Sequence, residues 1–416
     1  MFFSFVKRAA VNTAIVAFAA GSVSAGAQTD PIRIGLLTIK TGPFAGPGQQ
    51  MENGLRHLLK ERNYTLAGRK VELFVADTAG QPAMARTKTQ DLVERDKVQV
   101  LVGPLTSTEA LAIDDYVRDV KVPLISSSNL AEDMTQRHPN PWMVRATGST
   151  GQVVHPLGMY AATTLHYKRI ATVASDFAFG QEAVAGFQRV FEDNGGQVVQ
   201  KLWVPTAAAD FSAYIAQIRK DVDAVFISFS GASSVAFVRQ YNEYGLKGKV
   251  PLLAMHSVVD EGLLGGIGDD GIGIISGGIY SAAIDTPTNK NYVASYRKEF
   301  GVDPGFYATG GYVAGLFLEG ALKSTNASVD DKEAFLKALR STKLADSPRG
   351  PLTLDAYGNP VCNGYVRKTE RKDGHMQNTV VKVFPDESQF WTYGPKQFLA
   401  NPVYSRDFPP SRYLEN

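Results

Sequence analysis

The stretch Val98-Gln-Val-Leu-Val-Gly-Pro-Leu-Thr-Ser-Thr-Glu109, followed one helix length later by Val122-Pro-Leu-Ile-Ser-Ser-Ser-Asn129, decides the fold. The first segment is an apolar strand running through Gly103-Pro104 into a helix start at Thr106-Ser107-Thr108. The second is a strand that ends on three serines. Parallel strands end on one edge of a sheet, so two hydroxyl-rich loops are expected side by side there. Hydroxyls and helix amides at such an edge suit a small anionic group, with a carboxylate as the first expectation.

Working outward, strands are expected over residues 32–37, 71–75, 98–102 and 122–125. Helices are expected over 49–62, 83–97 and 106–120, the first from the spacing of Met51, Leu55, Leu58 and Leu59. This alternation predicts βαβ units and a parallel sheet. The pattern restarts after Trp142-Met-Val-Arg145. Helices over 153–165, 181–194 and 233–244 alternate with strands over 169–174, 197–204, 224–228 and 250–254. Asp210 is expected to cap a further helix running to Lys220. A glycine-rich strand near 272–279 and helices over 289–300, 312–323 and 331–341 come next. A strand and turn over 351–360 and antiparallel strands over 364–367 and 380–384 follow. The chain closes on an extended arm rich in proline and aromatic residues.

The 416 residues suffice for two domains. Forty-three Lys and Arg against 41 Asp and Glu leave a net charge of only +2, which argues against a nucleic-acid partner. Arg367, Lys368, Arg371 and Lys372 are interrupted by Glu370 and Asp373 and read as a solvated loop or hairpin. Residues 1–27 read as an export leader: Lys7 and Arg8, a short apolar run over 9–20, and small-residue cleavage patterns ending at Ala25 or Ala27. The mature chain is then expected to be exported and soluble. Cys362, the single cysteine, excludes an internal disulfide.

The signs of catalysis are weak. The six histidines form no close metal pair, and neither a GxSxG elbow nor a P-loop occurs. Gly266-Ile-Gly-Asp-Asp-Gly271 matches GxGxxG, but its glycines precede a strand instead of following one, so a flexible entry to that strand is the reading. No cofactor and no metal is expected.

From Ile32-Arg-Ile-Gly-Leu-Leu37 with Thr41-Gly42-Pro43, through Val102-Gly-Pro-Leu-Thr-Ser107 and Pro123-Leu-Ile-Ser126, to residues 176–180, Asp210-Phe211, residues 308–315 and Gly350-Pro-Leu-Thr-Leu-Asp355, the mature chain resembles the leucine/isoleucine/valine-binding branch of type I periplasmic binding proteins. These are soluble receptors for ABC importers. The resemblance implies two Rossmann-like α/β lobes with parallel sheets, joined by a three-crossover hinge, with a ligand in the cleft and closure on binding. It implies crossovers near Ala146-Thr147, Ser276-Gly277 and Leu352-Thr353. One lobe would be 31–147 plus 277–352, and the other 148–276 plus 353–416. It also implies a periplasmic location, a membrane permease as partner, and a monomer.

For the site, the resemblance implies that a ligand carboxylate sits on Thr106, Ser107 and the loop from Ser126 to Leu130, with Ser107 and Ser128 as main contacts. Thr106 has a second reading as a simple helix cap. Where amino-acid binders carry acids for the ammonium, this chain matches Thr150 and Ser233. Their packing aromatic matches Pro47, a tyrosine matches Phe179, and a threonine matches Leu130. Phe44, Phe179 and Tyr307 are candidate apolar walls or else ordinary core. His256 either bonds a ring hydroxyl or a second carboxylate of the ligand, or is a structural histidine. A buried ammonium without a partner costs roughly 3–5 kcal/mol, so an aromatic carboxylate is expected, and some branches of the family bind such acids. The alternatives are a branched-chain amino acid, an amide or urea in the same fold, a binding protein serving a sensor kinase, or an exported hydrolase.

Overall fold

The computed structural model describes residues 1–2, 30–206 and 208–415. The leader expected over residues 1–27, with its cleavage positions, lies almost wholly outside the described residues. Pro31–Asn416 is one compact unit, and it alone is described below.

Two sheets organise it. The first holds β1 (Ile32–Thr38), β2 (Thr65–Leu66), β3 (Arg69–Asp77), β4 (Val100–Val102), β5 (Leu124–Ser126) and β6 (Met143–Arg145), in the order β2-β3-β1-β4-β5-β6. All pairings are parallel except β2 with β3. The second holds β7 (Arg169–Ser175), β8 (Gln197–Val204), β9 (Ala224–Ser228), β10 (Leu252–Met255), β11 (Ile275–Gly278), β12 (Leu352–Leu354), β13 (Pro360–Lys372) and β14 (His375–Glu387). Its order is β12-β13-β11-β10-β9-β7-β8, with β14 paired to β13. The pairings from β7 to β11 are parallel, and those of β13 are antiparallel.

Set aside the edge strands and the winding repeats. β3-β1-β4-β5-β6 and β8-β7-β9-β10-β11 share one order, in which the chain reverses direction across the sheet between β1 and β4 and again between β7 and β9. In open parallel sheets, ligand clefts form outside the carboxyl ends of the strands at such reversals. The fold therefore marks two half-sites before any side chain is considered.

The first-sheet helices are α1 (Ala45–Glu61), α2 (Pro82–Gln90) and α3 (Ser107–Val120). The second-sheet helices are α4 (Thr150–Thr163), α5 (Ala178–Asp193), α6 (Ser212–Gln217), α7 (Ala232–Glu243) and α8 (Glu261–Ile267). The chain then returns through α9 (Pro287–Phe300), α10 (Phe306–Ser324) and α11 (Lys332–Ser341). α10 lies against α1 and α11 lies against α10. Hence the chain passes between the two sheets after β6, after β11 and before β12. Arg349, 2% exposed, holds this neck: its Nη1 donates to Ala146 O (2.8 Å), and its Nη2 donates to Thr147 O (2.6 Å) and Cys362 Sγ (3.1 Å).

Several local expectations change: the helix expected over 83–97 is α-helical only to Gln90, and that expected over 312–323 already begins at Phe306. The helix after Asp210 stops at Gln217, because Ile218 turns to an extended conformation and Arg219 N–H bonds the Gln200 side chain (3.0 Å). Asp210 accepts from Ser212 N–H (2.9 Å), as a cap would. The basic stretch 367–373 is a hairpin turning at Asp373-Gly374, but Arg367 within it is fully buried and faces Glu261 (3.3 Å) instead of solvent. Its partner lies too far away in the chain for the charge pattern to reveal.

Glu387, in β14, carries a buried carboxyl with neither oxygen hydrogen-bonded. Burial, and then the Cys362 side chain, hold its pKa well above the ordinary carboxyl value. The native chain therefore keeps a proton that the unfolded chain releases above the ordinary value, and stability falls as pH rises from there toward the folded pKa. Glu387→Gln is expected to raise the melting temperature by roughly 2–4 °C at about pH 8. At about pH 4 both states are protonated, and the gain should vanish. Equal shifts at both pH values would contradict this account.

Candidate functional site

The carboxyl ends of both sheets open on one cleft. From the first sheet come Phe44 after β1, Leu105, Thr106 and Ser107 after β4, and Ser128, Asn129 and Leu130 after β5. From the second come Phe177 and Phe179 after β7, Ser230 after β9 and His256 after β10. Phe306 and Tyr307 in the first turn of α10 complete the wall. Both winding reversals thus contribute. The walls touch at the rim, where Ala232 N–H donates to Pro43 O (3.4 Å). Gly231 makes this approach possible: its φ is +62°, and a Cβ there would lie 2.5 Å from Pro43 O.

One end of the cleft is rich in donors. Thr106 caps α3 in a reciprocal box: Glu109 N–H donates to Thr106 Oγ1 (3.3 Å), and Thr106 N–H donates to Glu109 Oε2 (2.9 Å). This fixes Ser107 at the first helical position, where backbone amides have no partner inside the helix and the helix dipole favours negative charge. The Ser128 hydroxyl donates to Leu105 O (2.9 Å), which ties the two loops together. Arg145, fully buried, shapes the second loop from below: its Nη1 donates to Asn129 O (2.8 Å), its Nη2 to Ala131 O, and its Nε to Thr135 Oγ1 (3.1 Å).

The body of the cleft is aromatic. Phe177 and Phe179 stack with centroids 5.8 Å apart, and Phe306 and Tyr307 meet edge to face at 5.1 Å. The His256 ring lies 4.0 Å from that of Phe306. Both His256 ring nitrogens are buried without a hydrogen-bond partner among the described residues. Burial foremost, then the charges of Arg367 and Arg349, hold its pKa well below the ordinary value, so the imidazole is neutral.

Among the described residues, no Asp or Glu lines the cleft. Asp260, close by, is committed elsewhere: it accepts from Phe306 N–H (2.7 Å) and Gly262 N–H (3.1 Å). Asp176 accepts from the Gln181 amide (2.9 Å) and pairs with Arg406 (3.3 Å).

Of the residues singled out in the sequence, Phe44, Thr106, Ser107, Ser128, Leu130, Phe179, His256 and Tyr307 come together on this wall. Pro47, Thr150 and Ser233 do not. Pro47 is buried in the first turn of α1. Thr150 is buried at the start of α4, its hydroxyl donating to Leu130 O (2.9 Å) and Glu182 Oε2 (2.7 Å). Ser233 sits half-buried in the first turn of α7. Sequence reasoning missed Leu105, Phe177, Ser230 and Phe306; Asn129 lay inside the loop from Ser126 to Leu130 without being singled out. The carboxyl-edge rule, applied to β7 and β9 as it was to β4 and β5, points to Phe177 and Ser230.

Residues 31–374 match the family described as periplasmic binding protein. The chain belongs to that family. A Leu/Ile/Val-binding protein homolog of Brucella melitensis is 26% identical over 380 residues, spanning 89% of this chain and 96% of the relative. Among solved structures of solute-binding proteins of ABC transporters from Rhodopseudomonas palustris, one in complex with 3,4-dihydroxybenzoic acid is 33% identical, with TM-score 0.82, and covers 86% of this chain and 98% of its own. Another, in complex with 4-hydroxybenzoate, is 28% identical, with TM-score 0.81, and covers 87% and 99%. The two-lobed α/β architecture of type I periplasmic binding proteins, expected from the sequence, is the observed one.

Proposed function

We propose that this periplasmic binding protein holds a small aromatic carboxylate in the cleft between its lobes and delivers it to the membrane permease of an ABC importer. The observation that carries this reading is the lining itself. It pairs hydroxyl and helix-amide donors at one end with five aromatic rings, and contains no acidic side chain. Ser107 meets the carboxylate, joined by Ser128 once its hydroxyl turns from Leu105 O, and Phe44, Phe177, Phe179, Phe306 and Tyr307 sandwich the ring. The relatives crystallised with hydroxybenzoates support the same class. Closure turns the lobes, bounded near residues 147, 277 and 352, about their neck, and the closed form is what the permease recognises. The chain works as a monomer in the periplasm after loss of a leader ending near Ala25 or Ala27.

The branched-chain amino acid reading draws on the Brucella relative. It is disfavoured on charge, because neither Asp176 nor Asp260 lines the cleft and an ammonium there would lack an acid on the wall. Calorimetry on the purified protein tests the choice. Benzoate-type acids are expected to bind at least roughly a hundredfold tighter than leucine, the equivalent of about 2.8 kcal/mol. Tight leucine binding with no response to benzoate would overturn the proposal.

A further inference from the structure

We propose that His256 reads a hydroxyl on the far edge of the ligand's ring, so that the protein selects hydroxylated aromatic carboxylates over their apolar counterparts. This rests on the aromatic-carboxylate reading above and adds to it a named specificity-determining residue.

The first support is an unbalanced polar group. His256 is 1% exposed, lines the cleft, and has no hydrogen-bond partner at either ring nitrogen among the described residues. Burying polar atoms without partners is costly, and native chains rarely leave both ends of one ring unpaired. A phenolic hydroxyl matches a neutral imidazole in either tautomer. It donates to the bare nitrogen or accepts from the protonated one.

The second support is placement. The hydroxyl-rich loops that meet the carboxylate follow β4 and β5 of the first sheet, whereas His256 follows β10 of the second. A ring anchored by its carboxylate on one wall therefore turns its opposite edge toward the other. The carbons meta and para to the carboxylate occupy that edge.

The third support is rigidity. Arg367 Nη2 donates to His256 O (3.4 Å) while its Nη1 bonds Tyr280 O (2.8 Å) and faces Glu261 (3.3 Å). The imidazole lies against Phe306, and Gly278 clears its base: a Cβ there would come within 3.0 Å of His256 Cβ. The ring is thus fixed by its surroundings with its nitrogens free. Burial first, and then Arg367 and Arg349, keep it uncharged. It therefore offers no positive charge to pair with a second carboxylate, and a hydroxyl is the group it fits.

A site built around a hydroxyl rejects the isostere that lacks it, because its own polar atoms are then left unpaired. Calorimetry with 4-hydroxybenzoate, 3-hydroxybenzoate, 4-methylbenzoate and benzoate on the wild type and on His256→Phe reads this directly. In the wild type, at least one of the two hydroxybenzoates is expected to bind roughly tenfold or more tighter than 4-methylbenzoate. In His256→Phe that preference should shrink to about threefold or less, whatever change in affinity is common to all four acids. Benzoate binding without any hydroxyl preference in the wild type would overturn the role of His256 while leaving the aromatic-carboxylate reading intact. A preference that survives in His256→Phe would do the same. Absence of binding by all four acids would overturn both. Should His256→Phe fail to fold, nitrogen-15 NMR of histidine-labelled wild type decides the matter. A ring nitrogen of His256 should shift with the preferred hydroxybenzoate and not with 4-methylbenzoate, and identical spectra in the two complexes would overturn the inference.

Discussion

Replacing Arg145 with methionine is expected to cost about 3–5 kcal/mol of stability and to weaken ligand binding together with it. The side chain is fully buried, and its three donors hold Asn129 O, Ala131 O and Thr135 Oγ1. It is also a positive charge facing two buried acids. Burial raises the pKa of Glu132, and burial followed by the charge of Glu132 raises that of Glu182 well above the carboxyl range, with Arg145 opposing the rise in both. Burial in turn lowers Arg145 itself to about 10, which still leaves it charged at neutral pH. Methionine fills similar space but takes a donor from Ala131 O, Thr135 Oγ1 and Asn129 O, the last of which keeps the Ser126 hydroxyl (3.1 Å), and it removes the positive charge that opposes the pKa rise of both acids. Because Asn129 lines the cleft, the loop carrying Ser128 loses its underpinning as well. Urea unfolding near pH 7 measures the loss, and a change below about 1 kcal/mol would contradict the assigned role.

Gly54→Ala should also destabilise, by about 3 kcal/mol, the upper part of the range for overpacking. Alanine in a helix interior normally gains up to about 1 kcal/mol over glycine, so the sign itself is the test. Gly54 sits where α1 meets α10, and a Cβ there would lie 1.8 Å from Ala308 O. The obstacle is backbone, which cannot rotate aside. The two helices must separate, and α10 bears Phe306 and Tyr307 in its first turn. Loss of melting temperature should therefore come with weaker binding of benzoate-type acids. A variant more stable than wild type would show that the helices yield freely.

The alternation of strands and helices was legible because each element repeats its own period, and the two hydroxyl loops were legible because they abut strands of clear ends. The aromatic half of the cleft was less so. Phe177 and Phe306 belong to no hydroxyl run and carry no periodic mark; only their place at a sheet edge reveals them, whereas Ser230 sits in the serine-rich run from Ser228 to Ser234 that begins at the end of β9. Pro47, Thr150 and Ser233 were assigned by matching loops between relatives, and each falls in the first turn of a helix beside the cleft instead of on its wall. Buried charge was the least visible feature. Arg367 meets Glu261, and Glu182 meets Thr150 and Glu132, only after the chain has folded over long separations.

Arg349, in the third passage between the sheets, is bonded to the carbonyls of the first passage and to Cys362 in β13. Riveted side by side, those segments resist sliding past one another. The closure proposed above is therefore expected to run as torsion about the rivet, a swing on an axle and not shear, with neither interior repacked.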